Sequence, residues 1–400
     1  MTVPDPYPSG ETSATPALSA LLRDRIAREG PLPFPEFMAT ALYEPALGYY
    51  ARETRQVGRG GDFFTSVSVG PLFGQLLARR FLAWWQEAGQ PGRWRLIECG
   101  AHDGTLAGDI LTALQTLSPT AFAALEYRII EPLPLLAEAQ TANLAAFGKT
   151  VRILPSPATL THDPLPGIVF GNELLDALPF HLVEWHDGAW AELCVENTSS
   201  EMSGHSPASS LSNFKFQISN SPLSPELSAA LDSLPLPTGP YRTEVRTNFT
   251  SFLAPLLAAL THGRMIWPDY GFARPEYYLP ARNTGTLRTF QRHRAGDDPL
   301  DSPGERDITA HVDFTAVAEA AIKLGATPAE FSAQGSWLTR LAEPWLRENE
   351  AALTPAQIRQ FQTLVHPGHL GAKFHLLELA WNEAVDPEQT AQAKRRLALE

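Results

Sequence analysis

The sequence predicts an α/β fold: a doubly wound, largely parallel sheet preceded by a helical region and interrupted by an antiparallel β insertion. Three observations predict it. Short apolar runs alternate with helical patterns between residues 93 and 271, the signature of a sheet with helices on both faces. One strand–helix junction, "ECGAHDG" (98–104), carries glycines where a nucleotide-binding turn needs them. The stretch "FHLVEWHDGAWAELCVEN" (180–197) breaks the alternation with two β-type runs around His186–Asp187–Gly188, a hairpin signal.

The elements follow in order. Residues 1–16, "MTVPDPYPSGETSATP", are polar and rich in Pro and Ser, so a disordered tail is expected there and not a secretory signal. Residues 17–56 read as helical and Pro-punctuated. Leu72, Phe73, Leu76, Leu77, Phe81, Leu82 and Trp85 recur at helical spacing, and Gly89 stops that helix. Residues 17–90 therefore read as an N-terminal helical cap. Its Gly-rich stretch "GRGGDFFTS" (58–66) is either a lid with Asp62 and Thr65 as polar contacts, or a tight turn anchored by Phe63 and Phe64.

The main domain reads as residues 91–382. Strands "RWRLIEC", "YRIIE", "VRILP", "GIVFGNE" and "GRMIWPDYG" alternate with helices "TLAGDILTALQTL", "LPLLAEAQTANLAAF" and "TNFTSFLAPLLAAL". The hairpin belongs to an insertion at 180–226, in which "FKFQISN" is a third antiparallel strand. Residues 273–306 read as a long Arg-rich loop, and a loop of that length in a compact domain points to function. Residues 383–400 read as a C-terminal surface helix.

Composition narrows the classes. Lys and Arg number 31 against 44 Asp and Glu, a formal net charge of −13, which disfavours a nucleic-acid backbone as partner. Apolar windows such as "FLAPLLAAL" are too short to span a bilayer, so no membrane insertion is expected. Two cysteines, Cys99 and Cys194, make neither a disulfide framework nor a metal cluster. The expected protein is acidic, soluble and cytoplasmic.

The glycine turn asks which cofactor it serves. Gly100 ends the first strand of the alternation and Gly104 opens the next helix. A dinucleotide fold wants Gly at the middle of G-x-G-x-x-G so that a pyrophosphate reaches the helix N-terminus, and His102 stands there instead. S-adenosylmethionine needs less. Glu98, before Gly100, is placed to attract its ammonium or to structure the loop. Glu131, ending the next strand, is placed to accept both ribose hydroxyls. The plain alternative is two ordinary turn glycines and a solvated strand end.

A run of blocks in fixed order goes further. "ALYEPALGYY" (41–50), "GDFFTS" (61–66), "PLFGQLLA" (71–78), "IECGAHDGTLAGDIL" (97–111), "GNELLDALPFH" (171–181), "PDYGF" (268–272), "GTLRTFQRH" (285–293), "DITAHVDF" (307–314), "AQGSWL" (333–338) and "GAKFHLLEL" (371–379) resemble the MidA-type family of class I S-adenosylmethionine-dependent methyltransferases. The resemblance covers residues 20–382. It implies a Rossmann-like class I methyltransferase fold, S-adenosyl-L-methionine as cofactor, and protein arginine methylation, since mitochondrial members methylate an arginine on a complex I subunit during assembly. The implied partner is a protein substrate, a respiratory-complex-like subunit among the candidates. Three positions depart from the family's pattern: Ala101 and His102 stand for Pro and Gly, Ser66–Val67–Ser68 stands where a Pro-Glu pair is usual, and Ala372 replaces a Glu beside Lys373.

The chemistry then needs an acceptor site. Asn172 and Glu173 lie at the carboxyl end of the fourth strand. A carboxylate pairs with a guanidinium in a two-pronged way and fixes which nitrogen faces the methyl group, so Glu173 is the expected clamp, with Asn172 or Asp176 orienting the acceptor. The plain reading makes Asn172 a helix cap and Glu173 a first-turn acid. Asp269 ends the fifth strand on the same rim and is expected to order Tyr270 and the following loop. Arg288, Arg292 and His293 suit an acidic partner surface or plain solvation. Asp313 beside His311 reads as a helix N-cap in preference to a metal ligand, and His366, His369 and His375 lack companions at zinc-ligand spacing. A catalytically inactive assembly or chaperone-like protein that keeps the fold is the rival reading.

Overall fold

The computed structural model describes residues 15–51, 65–198, 216–291, 294–350 and 352–400. Strands in chain order are β1 (Leu32–Pro33), β2 (Trp94–Cys99), β3 (Leu125–Ile130), β4 (Val151–Leu154), β5 (Leu165–Phe170), β6 (His181–His186), β7 (Ala189–Asn197) and β8 (Phe216–Ser221). They continue with β9 (Tyr241–Val245), β10 (Leu260–Phe272), β11 (Arg288–Gln291), β12 (Arg294–Gly296), β13 (Asp307–Thr309), β14 (Val312–Asp313), β15 (Thr327–Ala333) and β16 (Phe374–Trp381).

The central sheet runs β15-β16-β10-β5-β2-β3-β4, with β14 paired beside β10. β4, β3, β2, β5 and β10 are mutually parallel. β16 is antiparallel to both β10 and β15, so the sheet is mixed where the sequence predicts a parallel one. Both β15 and β16 went unassigned in the sequence, because "FHLLELAW" is Leu-rich without β-branching and "TPAEFSA" carries Pro. All six residues of β2 are buried, as the centre of a doubly covered sheet requires. One face packs against helices Leu72–Glu87, Thr105–Leu117 and Gln334–Asn349 through Phe73, Phe81, Ile110 and Trp337. The other packs against Phe249–Ala258 and Phe314–Lys323 through Leu253, Leu256 and Val317.

A second, antiparallel sheet lies beside the first, with β8 and β6 flanking β7, β9 flanking β6, and β1 also paired to β7. The hairpin is as read: Asp187 and Gly188 both take positive φ (51° and 84°), the two-residue turn that matches strand twist. The insertion is larger than 180–226. It continues to β9 because Arg242 and Thr243 pair with Glu184 and Val183 of β6.

The 17–90 cap also divides. Helices Thr15–Glu29 and Phe34–Tyr43 pack on the antiparallel sheet, with Phe34 and Phe37 against Phe180, Leu182 and Val195. Helix Leu72–Glu87 belongs to the central core. Helical periodicity shows that a face is buried but not which sheet buries it.

The Arg-rich region 273–306 is folded. It contains a helix Arg274–Tyr277 and strands β11 and β12, which form a small sheet with β13 just beyond it. Arg274 pairs with Asp313 and Glu319, Arg282 lies over the Phe272 ring and Arg306 pairs with Asp301. These cations stabilise the fold. Residues 292 and 293 lie outside the described residues. No helix among the described residues is long and apolar enough to cross a membrane.

Candidate active site

The carboxyl ends of β2, β3 and β5 open on one cavity of about 610 Å³. This is the rim where open α/β sheets bind ligands. Glu98, Gly100, His102, Glu131, Asn172, Glu173 and Thr65 all line it. Two walls come from elsewhere: Tyr43 and Tyr50 from the N-terminal helices, and Ser251, Phe252, Pro255 and Leu256 from the helix after β9. Asp62 lies outside the described residues.

The first wall is built from consecutive strand–turn–helix units. Gly100 and Gly104 take φ of 71° and 85°, the left-handed region that costs Gly least. A Cβ on Gly100 would stand 2.9 Å from Leu174 Cδ1, so the turn lies directly against the acceptor-side loop. His102 also takes positive φ, 48°, the conformation its absent glycine would hold at no strain. Its ring lines the cavity, and Nδ1 stands 3.7 Å from the Asp103 carboxylate. That imidazole, then the Thr105 amide, pull the Asp103 carboxyl down to about 2.

Glu98 is 1% exposed. It accepts a bond from the Tyr127 hydroxyl at 2.6 Å. Burial pushes it up to about 7, against that hydroxyl's pull. Glu131 is held at both oxygens: the Leu133 amide donates to Oε1 at 2.9 Å and Gln140 Nε2 to Oε2 at 3.0 Å. Burial raises its carboxyl too, opposed by those donors. The same Gln140 amide donates to the His102 carbonyl at 2.7 Å. It thereby ties the two turns together. Sequence reasoning missed Gln140, Tyr43 and Tyr50, since each sits in an element whose pattern announces only a helix.

The second wall centres on Glu173. Its φ is 52°, and its backbone N–H donates to Pro268 O at 3.0 Å. Oε1 accepts from the Ser66 amide at 3.1 Å and from Asn172 Nδ2 at 2.9 Å. Burial pushes this carboxyl up to about 8, with the Asp176 charge adding to the rise. Asn172 Oδ1 is a buried acceptor without a hydrogen-bond partner among the described residues. Residues 171–176 are not helical, so the cap-and-first-turn alternative for Asn172 and Glu173 does not describe this loop. The block Ser66–Val67–Ser68, which departs from the family's pattern, contributes a backbone donor to Glu173.

Asp176 stands apart. It is absent from the cavity lining, and its Oδ2 accepts from Thr309 Oγ1 at 2.8 Å. Of the two residues expected to orient the acceptor, only Asn172 lines the cavity. Asp269 orders more than Tyr270: its Oδ2 accepts from the amides of Leu174, Leu175 and Asp176 at 3.0, 2.7 and 3.3 Å. Gly104 is the N-cap of the helix Thr105–Leu117. Asp313 caps Phe314–Lys323 by accepting from Ala316 N. Arg288 is about half exposed, with Asp297 at 4.0 Å.

Over residues 76–332 the chain matches the family model of S-adenosyl-L-methionine-dependent methyltransferases. The chain belongs to this methyltransferase family. It is 30% identical to the Drosophila melanogaster protein named protein arginine methyltransferase NDUFAF7 homolog, mitochondrial, over 91% of this chain and 84% of that one. The human protein arginine methyltransferase NDUFAF7, mitochondrial, is 26% identical over 92% and 84%. A Burkholderia thailandensis protein solved with S-adenosyl-homocysteine superposes with a TM-score of 0.80 at 31% identity, covering 96% of this chain and 97% of that one. These likenesses make the cofactor S-adenosylmethionine and the chain an enzyme of methyl transfer; the inert-scaffold alternative is not favoured.

The methyltransferase wall fits the cofactor by its chemistry. The cavity has carboxylates at two neighbouring strand tips, a turn opened by Gly100 between them, and an apolar bed at Ile130, Leu133, Leu136 and Pro157. A sulfonium, an amine and a flat base each find a complementary group there.

Proposed function

We propose that this methyltransferase acts on an arginine side chain of a partner protein. Glu173 is the observation that carries the reading. Its carboxyl lies among two other acidic groups, Asp176 and Asp269, whose charges bear on one another. The nearby cation, Arg246, spends its guanidinium on the backbone carbonyls of Asp176, Leu178, Ala310 and His311. A cluster of buried carboxyls with its own cation committed elsewhere favours a cationic guest.

A guanidinium suits it best, being planar, permanently charged and able to present two N–H groups to one carboxylate. In this reading Glu173 grips two guanidinium N–H groups, fixes one nitrogen toward the cofactor, and takes the proton that nitrogen sheds. The free Asn172 Oδ1 accepts a third N–H. Glu131 holds the ribose hydroxyls; Glu98 and the backbone of Gly100–His102 face the amino-acid end. The cofactor supplies the electrophilic methyl. The relatives' names as arginine methyltransferases support the acceptor class, and the resemblance supports a respiratory-complex-like subunit as the partner.

The test is incubation with isotope-labelled S-adenosylmethionine and matched peptides carrying Arg or Lys, read by fragmentation mass spectrometry. The expected result is label on a guanidino nitrogen of the Arg peptide only. Label on lysine, on a carboxylate or on a small metabolite alone would refute it.

A further inference from the structure

The loop that carries Asn172 and Glu173 is gripped from outside by a buried carboxyl and a buried guanidinium. On one side, Asp269 of β10 is 0% exposed and takes the N–H groups of three consecutive loop residues, Leu174 to Asp176, on a single oxygen. Its other oxygen takes the Tyr270 amide at 2.7 Å. On the other side, Arg246 follows β9 and is 9% exposed. Its Nη2 donates to Asp176 O at 2.6 Å and its Nε to Leu178 O at 3.0 Å. Its remaining donors reach Ala310 O and His311 O.

Burying a full charge is costly unless hydrogen bonds replace its water. Here burial, then the Asp176 and Glu173 charges, push the Asp269 carboxyl well up, against the pull of the amides it accepts from. The Arg246 guanidinium spends its donors on backbone carbonyls, where charge-assisted bonds are strong. Amides face the carboxyl and carbonyls face the cation. The loop polarity is thus read from both ends. What it fixes is unusual, because Glu173 sits in the left-handed region at φ 52°. Such a residue persists only where its surroundings over-determine it.

We propose that Asp269 and Arg246 are positioning residues that clamp the loop Asn172–Leu178 by its backbone and thereby set the direction in which Glu173 presents its carboxylate to the acceptor. Neither lines the cavity, so both act through Glu173. This inference rests on Glu173 being the acceptor carboxylate.

The test combines D269N, R246K, E173Q and the doubles D269N/E173Q and R246K/E173Q. Turnover of the Arg peptide, S-adenosyl-homocysteine affinity by calorimetry and thermal midpoint are measured for each. D269N keeps the shape but replaces one accepting oxygen by an N–H donor; the expected loss in kcat is about 10²-fold, as for a misplacement of about 1 Å. Cofactor affinity is expected to stay within about 2-fold, because the turn at Gly100–Gly104 is held by Gln140 instead.

The deciding reading is non-additivity: each double should be no slower than E173Q alone, within about 2-fold. As a control, D313A removes a buried N-cap carboxylate away from the cavity; it should lower the midpoint without lowering kcat. If D269N does not fold, R246K and its double carry the same reading. Additive losses, or a folded D269N at wild-type kcat, overturn the clamp. E173Q at wild-type rate would instead remove the arginine reading, and the clamp with it. A slow E173Q with additive doubles removes the clamp alone.

Discussion

The two walls of the cavity are made differently. On the cofactor side, β2, the Gly100–Gly104 turn, β3 and Glu131 are consecutive in the chain, and each carboxylate is satisfied by neutral donors within a few tens of residues. On the acceptor side, Glu173 is held by Ser66, 107 residues away, and its loop by Asp269, about 94 residues away. Local sequence builds the first wall; tertiary packing builds the second. The first recognises a ligand that never changes, and local motifs suffice. The second must place one carboxylate against a reacting nitrogen, and it draws on four separated segments to do so.

That contrast yields predictions in falling order of size. E173Q should lower kcat for the Arg peptide by about 10²-fold or more, the scale of a lost general base. S-adenosyl-homocysteine affinity, measured calorimetrically, should move less than about 2-fold if the walls are separable. A large fall in cofactor affinity would merge them. E131Q should do the opposite, weakening S-adenosyl-homocysteine by about 1.5–3 kcal/mol, the range of hydrogen bonds to a charged group, while leaving the acceptor KM near its wild-type value.

G100A probes the seam between them. An alanine at its φ of 71° is strained, and its Cβ would displace Leu174 of the facing loop, so stability should fall by about 1–3 kcal/mol in denaturant titration. Both affinities should weaken together.

The smallest effect is on pH. Glu173 and Glu98 are raised to about 8 and about 7 in the folded chain. The folded state therefore holds more protons than the unfolded one between the ordinary carboxylate range and pH 8. Stability is full below that range and falls as pH rises through 7 and 8. E173Q should flatten the fall in thermal midpoint between pH 5 and 8.5, gaining on wild type at the alkaline end. A midpoint difference independent of pH would place the Glu173 carboxyl in water. Acceptor kcat/KM should rise over the same interval, since the clamp grips as an anion.

How much the sequence revealed follows the same division. Glu98, Gly100 and Glu131 are legible because strand–turn–helix periodicity places them at strand tips without tertiary information; Gly104, legible as the opener of the helix, caps it and does not line the cavity. Glu173 was legible from its place after β5. Asp269 is legible as the residue that orders Tyr270, but only three-dimensional proximity shows that its carboxyl also faces the loop of the neighbouring strand. Gln140 and Tyr43 were hidden for a plainer reason: a helix pattern records which side is buried, not what a polar end reaches. The Arg-rich stretch misled by composition, since Arg274 and Arg306 pair internally.

The most direct test of the two-wall account is a crystal structure with S-adenosyl-homocysteine and an arginine peptide together. The account predicts ribose hydroxyls on the Glu131 carboxylate and a guanidinium paired edge-on with Glu173 in the same cavity. A cofactor seated away from Glu131, or a guanidinium that bypasses Glu173, would contradict it.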